Sequence, residues 1–199
     1  MTRIRIGTIV EGHGEVQALP VLLRRLAMEI APHLWADIPP PRRVNRNSLV
    51  AAGGIEGAVH RLVSDIEGAT GVLVLLDSDD DCPADLGPRL LSRARAARAD
   101  VPMVVVLANR EFEAWFLAAA ISLRGHASLR ADLKSPDDPE RLRGCKEWLT
   151  NNRTGAQPYN PKKHQTSLAA RFDLHLARQN SPSFDKFWRD VVYLITGKR

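Results

Sequence analysis

Hydrophobic positions along the chain follow two alternating rhythms. RIRIGTIV (3–10) alternates and then turns wholly apolar, which predicts a strand buried on at least one face. After Gly12 and Gly14, VQALPVLLRRLAMEIA sets Leu19, Leu22, Leu23, Leu26 and Ile30 at helical spacing. Pro20 suits only a first turn, so that helix is expected to start near Val16. PPPRR (39–43) reads as a rigid connector, with a short strand expected around Arg43 to Asn47. GIEGAVHRLVSDIEGA predicts a second amphipathic helix, and GVLVLLD (71–77) a central strand covered on both faces. PADLGPRLLSRARAARAD then predicts a helix opened by Pro83, and VPMVVVLAN (101–109) another central strand. REFEAWFLAAAIS predicts an apolar helix capped by Asn109, with Phe112, Trp115 and Phe116 in the core.

This alternation predicts an α/β fold, a mostly parallel, Rossmann-like sheet of about four strands flanked by helices. Past residue 121 the alternation stops. Polar loops (SPDDPE, NNRTGAQPYNPKKHQ) separate helix-like pieces such as TSLAARFDLHLARQ and SFDKFWRDVVYLIT. The expected organisation is an α/β core over 1–121 and a basic, mainly helical C-terminal extension over 122–199, packed on the same domain. No repeat or low-complexity tract interrupts it.

Charge changes this picture more than composition does. The net charge is +5. Residues 1–107 carry 12 Lys and Arg against 13 Asp and Glu, while residues 108–199 carry 16 against 10. An acidic focus beside a basic C-terminal segment suits a polyanionic partner. No apolar run approaches the ~20 residues of a membrane span, and the N-terminal stretch is too polar for a signal peptide. Two cysteines, Cys82 and Cys145, are too few for a disulfide framework or a zinc cage. A reducing cytoplasm is the expected setting.

The acidic focus lies where the third predicted strand ends, in LVLLDSDDDCP (Asp77, Asp79, Asp80, Asp81). Function in an open parallel sheet collects at the C-terminal strand edge, and three strands deliver acids there: Glu11, then Asp77 with Asp79, then Glu111 and Glu113. On an extended segment Asp77 and Asp79 point to one face, and a divalent cation would relieve their repulsion. Magnesium takes a few carboxylates, keeps several waters and leaves room for substrate phosphates. EGHGEVQ has no third glycine for a dinucleotide fingerprint, no Gly-Lys-Ser/Thr marks a P-loop, and DSDDDCPADLGP lacks the glycine and final glutamate of a calcium loop.

VEGHGEVQALPVLL, LLDSDDDCP and ANREFEAWFL, in this order and spacing, resemble the TOPRIM superfamily of primases, type II topoisomerases and nucleases of the overcoming-lysogenization-defect kind. The likeness is nearest to a domain-of-unknown-function branch of small TOPRIM-type proteins that includes the toxic nuclease effector of the PARIS anti-phage system, which works with a P-loop ATPase. KEWL, YNPKKHQTSLAARFDL and SPSFDKFW extend it over nearly the whole chain. The resemblance implies a TOPRIM-like fold and a magnesium-dependent nuclease, with manganese able to substitute, cleaving RNA (tRNA among the candidates) or DNA. Glu11, Asp77 and Asp79 would then be the catalytic and metal-binding acids, with Asp81, Glu111 or Glu113 open as ligand of a second metal. Lys146, Lys162 and Lys163 are the candidates for an assisting cation. A partner ATPase is implied, and a homodimer stays open. A non-catalytic TOPRIM-shaped module docking on that ATPase is the alternative.

Several residues admit plainer roles. Asp80 and Asp81 suit the positive end of the next helix. Glu111 and Glu113, two apart in a first helical turn, cannot share a helix face, so at most one is expected to face a metal. His13 and His164 read equally as solvated loop histidines. Tyr159, Lys146, Lys162, Lys163, His164 and Gln165 are candidates for nucleic-acid contact. Cys82 is expected to pack under the acidic loop.

Overall fold

β1 (Arg3–Val10) is the axis of the sheet in the computed structural model, which describes residues 3–198. Helix α1 (Glu15–Ile30) follows, then two short strands, β2 (Trp35–Asp37) and β3 (Arg42–Arg43). β2 pairs with the first half of β1, Arg3 opposite Trp35, and β3 with its end, Val10 opposite Arg43. The two together act as one interrupted edge strand. Helices α2 (Arg46–Val50) and α3 (Gly54–Asp65) carry the chain to the other side of β1, where β4 (Gly71–Asp77) pairs with it, Val10 opposite Leu75. Helix α4 (Pro83–Ala97) leads to β5 (Met103–Ala108), which pairs with β4. All pairings are parallel, in the order β2-β1-β4-β5 with β3 also on β1. The fold is thus the expected α/β architecture, Rossmann-like, with five strands.

The apolar runs of β4 and β5 are buried on both faces, as continuous hydrophobicity predicts. Their side chains alternate between two cores. Leu73, Leu75, Val104 and Val106 face α1 and the C-terminal helices. Val72, Val74, Leu76, Val105 and Leu107 face α3 and α4.

After β5 come α5 (Ala114–Ala118), two short 3-10 turns, α6 (Cys145–Asn151), α7 (Pro161–Ala169), α8 (Leu174–Asn180) and α9 (Pro182–Thr196). These helices share the α1 core through edge-on and tilted rings: the Trp115 ring centroid lies 5.2 Å from that of Phe184 and 4.9 Å from that of Phe187, and that of Phe116 5.3 Å from that of Phe172. An open edge strand invites association with another chain. Here Lys186 of α9 donates to the Val105 carbonyl at 3.0 Å and Arg95 to that of Met103 at 3.4 Å, which occupies the outer edge of β5.

Four local expectations change. Helix α1 begins at Glu15, so Pro20 lies in its second turn, where it offers no amide to the Val16 carbonyl. The strand expected around 43–47 ends at Arg43, because the Asn45 side chain accepts from the Asn47 amide at 2.9 Å and starts α2. β2 had no periodic signal, being only three residues long. Asn109 caps no helix: Arg110 takes φ +62°, the chain turns, and α5 starts only at Ala114, while Asn109 donates to Glu140 at 3.1 Å.

Because the C-terminal helices complete the α1 core, their loss is felt by the whole sheet. Phe184→Ala should destabilise the protein by about 3–5 kcal/mol, and tryptophan fluorescence and far-UV circular dichroism should trace one denaturant transition. Two separated transitions would mean that residues after 121 fold as an independent unit.

Candidate metal centre

The connection after β1 runs to one side of the sheet and that after β4 to the other, so a crevice opens between the C-terminal ends of β1 and β4, the usual ligand position in such sheets. Glu11 follows the last residue of β1 and Asp77 is the last of β4, on either side of that crevice. A cavity of about 460 Å³ opens onto Glu11, Glu15, Asp77 and Lys146, with the exposed His13 and Lys162 beside it.

The glycines of the β1–α1 turn make this crowding possible. A Cβ on Gly12 would lie 2.0 Å from Glu15 Oε2, and one on Gly14 1.8 Å from Gln165 Oε1. Without side chains at both positions, the Glu15 carboxylate folds back against the turn and Gln165 reaches in from α7. Gln165 Nε2 donates to Glu15 Oε1 at 2.9 Å and to Glu113 Oε1 at 3.4 Å. The Tyr159 hydroxyl donates to the same Glu113 oxygen at 3.1 Å. Lys146 Nζ lies 2.6 Å from Glu111 Oε2 and 2.9 Å from Glu113 Oε2. Asp77 Oδ1 accepts from the Phe112 amide at 2.7 Å.

Carboxylate outweighs cation in this crevice. Burial, then Asp79 and Glu15, push the Glu11 pKa up to about 7. Burial, then Glu113, Glu15 and Glu11, hold Asp77 well above the usual carboxylate range. Burial also raises Glu113, although Lys146 pulls the other way. Burial works against the Lys146 ammonium, yet Glu113, Glu111 and Asp77 more than offset it and keep it charged. Burial, followed by Glu111 and Glu113, moves the Cys145 thiol up to about 12, so it stays protonated. Glu11 Oε2 and Glu15 Oε2 are buried and have no hydrogen-bond partner, which is costly for charged oxygens. Two unpartnered carboxylate oxygens beside an open cavity are donors of the kind a small hard cation such as Mg²⁺ takes, although among the described residues no three acids are gathered closely enough to form a ligand cluster.

The acid run after β4 does not stay extended. Asp79 takes φ +50°, donates its amide to the Arg110 carbonyl at 3.1 Å, and turns to solvent, so the two-residue alternation ends at Asp77. Asp79 comes within 3.4 Å of Arg46 Nε, and its charge still reaches Glu11. Asp81 is exposed and paired with Arg46. Asp80 meets Arg143 at 2.7 Å and Arg110 at 3.2 Å, and Arg143 first, then Arg110, hold its pKa below the ordinary value. Arginines therefore answer much of the repulsion for which a cation alone was expected.

Glu111 and Glu113 both reach Lys146, because they lie in the turn ahead of α5, with Glu113 as its N-cap, and not two apart on the face of a formed helix. Lys146 is enclosed by carboxylates, whereas Lys162 stands beside the cavity and Lys163 is exposed on α7. His164 accepts from the Asn160 amide through Nδ1 at 2.9 Å and packs on Tyr159, whose own hydroxyl is spent on Glu113. Cys82 is exposed ahead of α4, not packed beneath the loop. Sequence reading missed Glu15 and Arg46, and it set Tyr159 and Gln165 out for nucleic-acid contact, whereas both are turned inward to Glu113 and Glu15. Glu15 had a signal, an acid one turn beyond Glu11 across two glycines; Arg46 had none, since it lies in a five-residue helix without periodicity.

Fold and site together define a parallel α/β protein with an acidic centre at its topological switch point. The chain belongs to the family described as Domain of unknown function (DUF4276), whose model matches residues 10–191. No curated protein and no solved structure matches it. Among the described residues no helix is long and apolar enough to cross a membrane.

Folding raises the Glu11 carboxyl from an ordinary 4.5 to about 7, so the folded chain holds that proton more tightly than the unfolded one. Its contribution is full at low pH and is lost as pH rises from about 4.5 to about 7. In chelator, thermal stability should fall across that window, and Glu11→Gln should flatten the fall and melt at or above the parent at pH 8. Melting curves with the parent's pH slope would show that the Glu11 charge is not under strain. Gly14→Ala should cost about 1–3 kcal/mol by expelling the Gln165 amide, measured by chemical denaturation.

Proposed function

We propose that this chain is a magnesium-dependent nuclease of the TOPRIM type that hydrolyses phosphodiester bonds of RNA or DNA. The observation that carries the reading is the surplus of buried carboxylate over cation at the β1–β4 crevice, with Glu11 Oε2 and Glu15 Oε2 unpartnered. Glu11 and Asp77 would hold the ion from the two strand ends, with Asp79 on the solvent side; Mn²⁺ would substitute. When bound, the ion activates a water and stabilises charge on a phosphoryl oxygen.

The chain's own groups supply the rest. Glu11 would serve as ligand or as general base: where it does not itself hold the ion, a pKa of about 7 suits it to accept a proton from water at neutral pH. Lys146 stays charged at the cavity wall and offers an N–H to the charge that develops on the phosphoryl group. Tyr159 and Gln165 keep Glu113 and Glu15 in place through neutral hydrogen bonds. His13 and Lys162 stand where backbone phosphates would approach, with Lys163 farther out on α7. The role as toxic effector coupled to a P-loop ATPase in anti-phage defence is supported by the motif resemblance alone.

A second reading has its own support. Lys146 already bridges Glu111 and Glu113, and Arg46 already pairs with Asp79 and Asp81. A site neutralised to that extent suits a non-catalytic module docking on an ATPase.

Metal separates the two readings. Under the nuclease reading, Mg²⁺ or Mn²⁺ raises the melting temperature beyond a matched salt control, and a panel of tRNA, single strands and plasmid is cleaved with Mn²⁺. Glu11→Gln and Asp77→Asn should reduce cleavage to background while remaining folded in chelator. A parent with no divalent-specific shift and no cleavage, alone or with its ATPase, would leave the docking module standing. Lys162→Ala with Lys163→Ala should weaken oligonucleotide binding and flatten its salt dependence.

A further inference from the structure

Beside the acidic crevice lies a smaller cavity, of about 160 Å³, lined by Asp79, Asp80, Arg110, Glu111, Arg143 and Gly144. Two guanidinium groups from separate segments converge there on one oxygen. Arg110 Nη1 lies 3.2 Å and Arg143 Nη2 2.7 Å from Asp80 Oδ1. Asp79 and Glu111 on the same wall have cations of their own in Arg46 and Lys146, so Asp80 is the acid that occupies the two guanidinium groups, and guanidinium pairs are the preferred receptors for phosphate oxygens.

Backbone strain fixes the arginine of this pair that is nearer the sheet. Arg110 holds φ +62°, unusual for a residue with a side chain. Its amide donates to Ser78 Oγ at 2.8 Å and its carbonyl accepts from Asp79, itself at φ +50°. Two strained residues thus bind the β4 and β5 loops together and aim the Arg110 side chain outward. Asp80, by contrast, sits on an exposed turn, its side chain 73% open to solvent, free to swing away.

We propose that Arg110 and Arg143 form a seat for a backbone phosphate of a polynucleotide, and that Asp80 occupies this seat as an internal stand-in until a phosphate displaces it. The seat lies close to the crevice, since Glu111 on its wall contacts Lys146 on the wall of the crevice at 2.6 Å, and it would hold a phosphate of the same strand that reaches the acidic centre. It rests on the polynucleotide part of the proposed function, not on hydrolysis.

Binding in metal-free buffer tests it apart from cleavage. The probes are a fluorescein-labelled single-stranded oligonucleotide, and inorganic phosphate as competitor. Asp80→Ala should tighten oligonucleotide binding by about three- to tenfold by emptying the seat. Arg143→Ala should weaken it by a similar factor, and Asp80→Ala with Arg143→Ala should lose the gain. Arg110→Gly should also weaken binding yet melt at or above the parent, because glycine accepts φ +62° without strain. Millimolar phosphate should compete with Asp80→Ala more strongly than with the parent. Unchanged or weaker binding by Asp80→Ala, or full binding by Arg143→Ala and Arg110→Gly, overturns the seat. A seat that behaves as expected in a protein that cleaves nothing would refute hydrolysis alone, whereas competition by phosphate without oligonucleotide binding would refute the polynucleotide as its source.

Discussion

Parallel pairing of β1 with β4 is the constraint from which the site descends. Glu11 and Asp77 are remote in sequence, and only the register that sets Val10 opposite Leu75 brings their backbones to the same edge. That register is pinned from both sides. Leu73 and Leu75 on one face and Val72, Val74 and Leu76 on the other enter separate cores, and a slip of one residue would exchange the two sets. Hydrophobic burial, which is non-directional, is thereby converted into a fixed spacing of two charged groups that repel each other.

The charges near that edge fall into two regimes. Outside the crevice, on exposed turns, each aspartate of the run has an arginine within reach: Arg46 for Asp79 and Asp81, Arg110 and Arg143 for Asp80. Arg46 does more than pair, because it also donates to the carbonyls of Asp77 and Ser78 at 3.2 and 3.3 Å and so holds the backbone where β4 ends. Inside, Lys146 stands among Glu111, Glu113 and Asp77. Exposed pairs of this kind contribute little stability each. Their effect is spatial: Asp80 and Asp81 are held out on the surface, Asp79 stands at the rim with its charge still felt by Glu11, and Asp77 faces the crevice.

Elements set by periodicity were legible in the sequence. β4 begins and ends where GVLVLLD does, and Pro83 opens α4 as its position implies. The strand ends that carry Glu11 and Asp77 follow from the same reading. What escaped it depends on single dihedrals and on distant contacts. Nothing local announces that Asp79 and Arg110 adopt positive φ, yet those two angles turn Asp79 outward and delay α5 to Ala114. Gln165 was one polar residue in a polar stretch, and only its burial beneath Gly14, some 150 positions away, distinguishes it from its neighbours. The placement of Asp80 against two arginines likewise joins three separate segments.

The partners of the two innermost glutamates are chemically selective. Glu15 Oε1 and Glu113 Oε1 are held by neutral donors, Gln165 and Tyr159, while the other oxygen of Glu113 meets Lys146 at 2.9 Å. A guanidinium in either place would give a stronger bond and a cancelled charge. An amide or a phenol fixes the direction of a carboxylate while leaving its charge in force, and burial then magnifies that charge because little water screens it. Such an arrangement costs stability, since Glu15 Oε2 stays unpartnered and Glu11, Asp77 and Glu113 all resist ionisation. Buried apolar residues would fill the same volume without that cost. The glycines at 12 and 14 point the same way, because they keep open, at the expense of backbone entropy, the narrow space that lets these groups approach. Carboxylates oriented at a stability cost beside an open cavity, at the strand-end switch point where such sheets take their ligands, are the feature on which the proposed cation site rests.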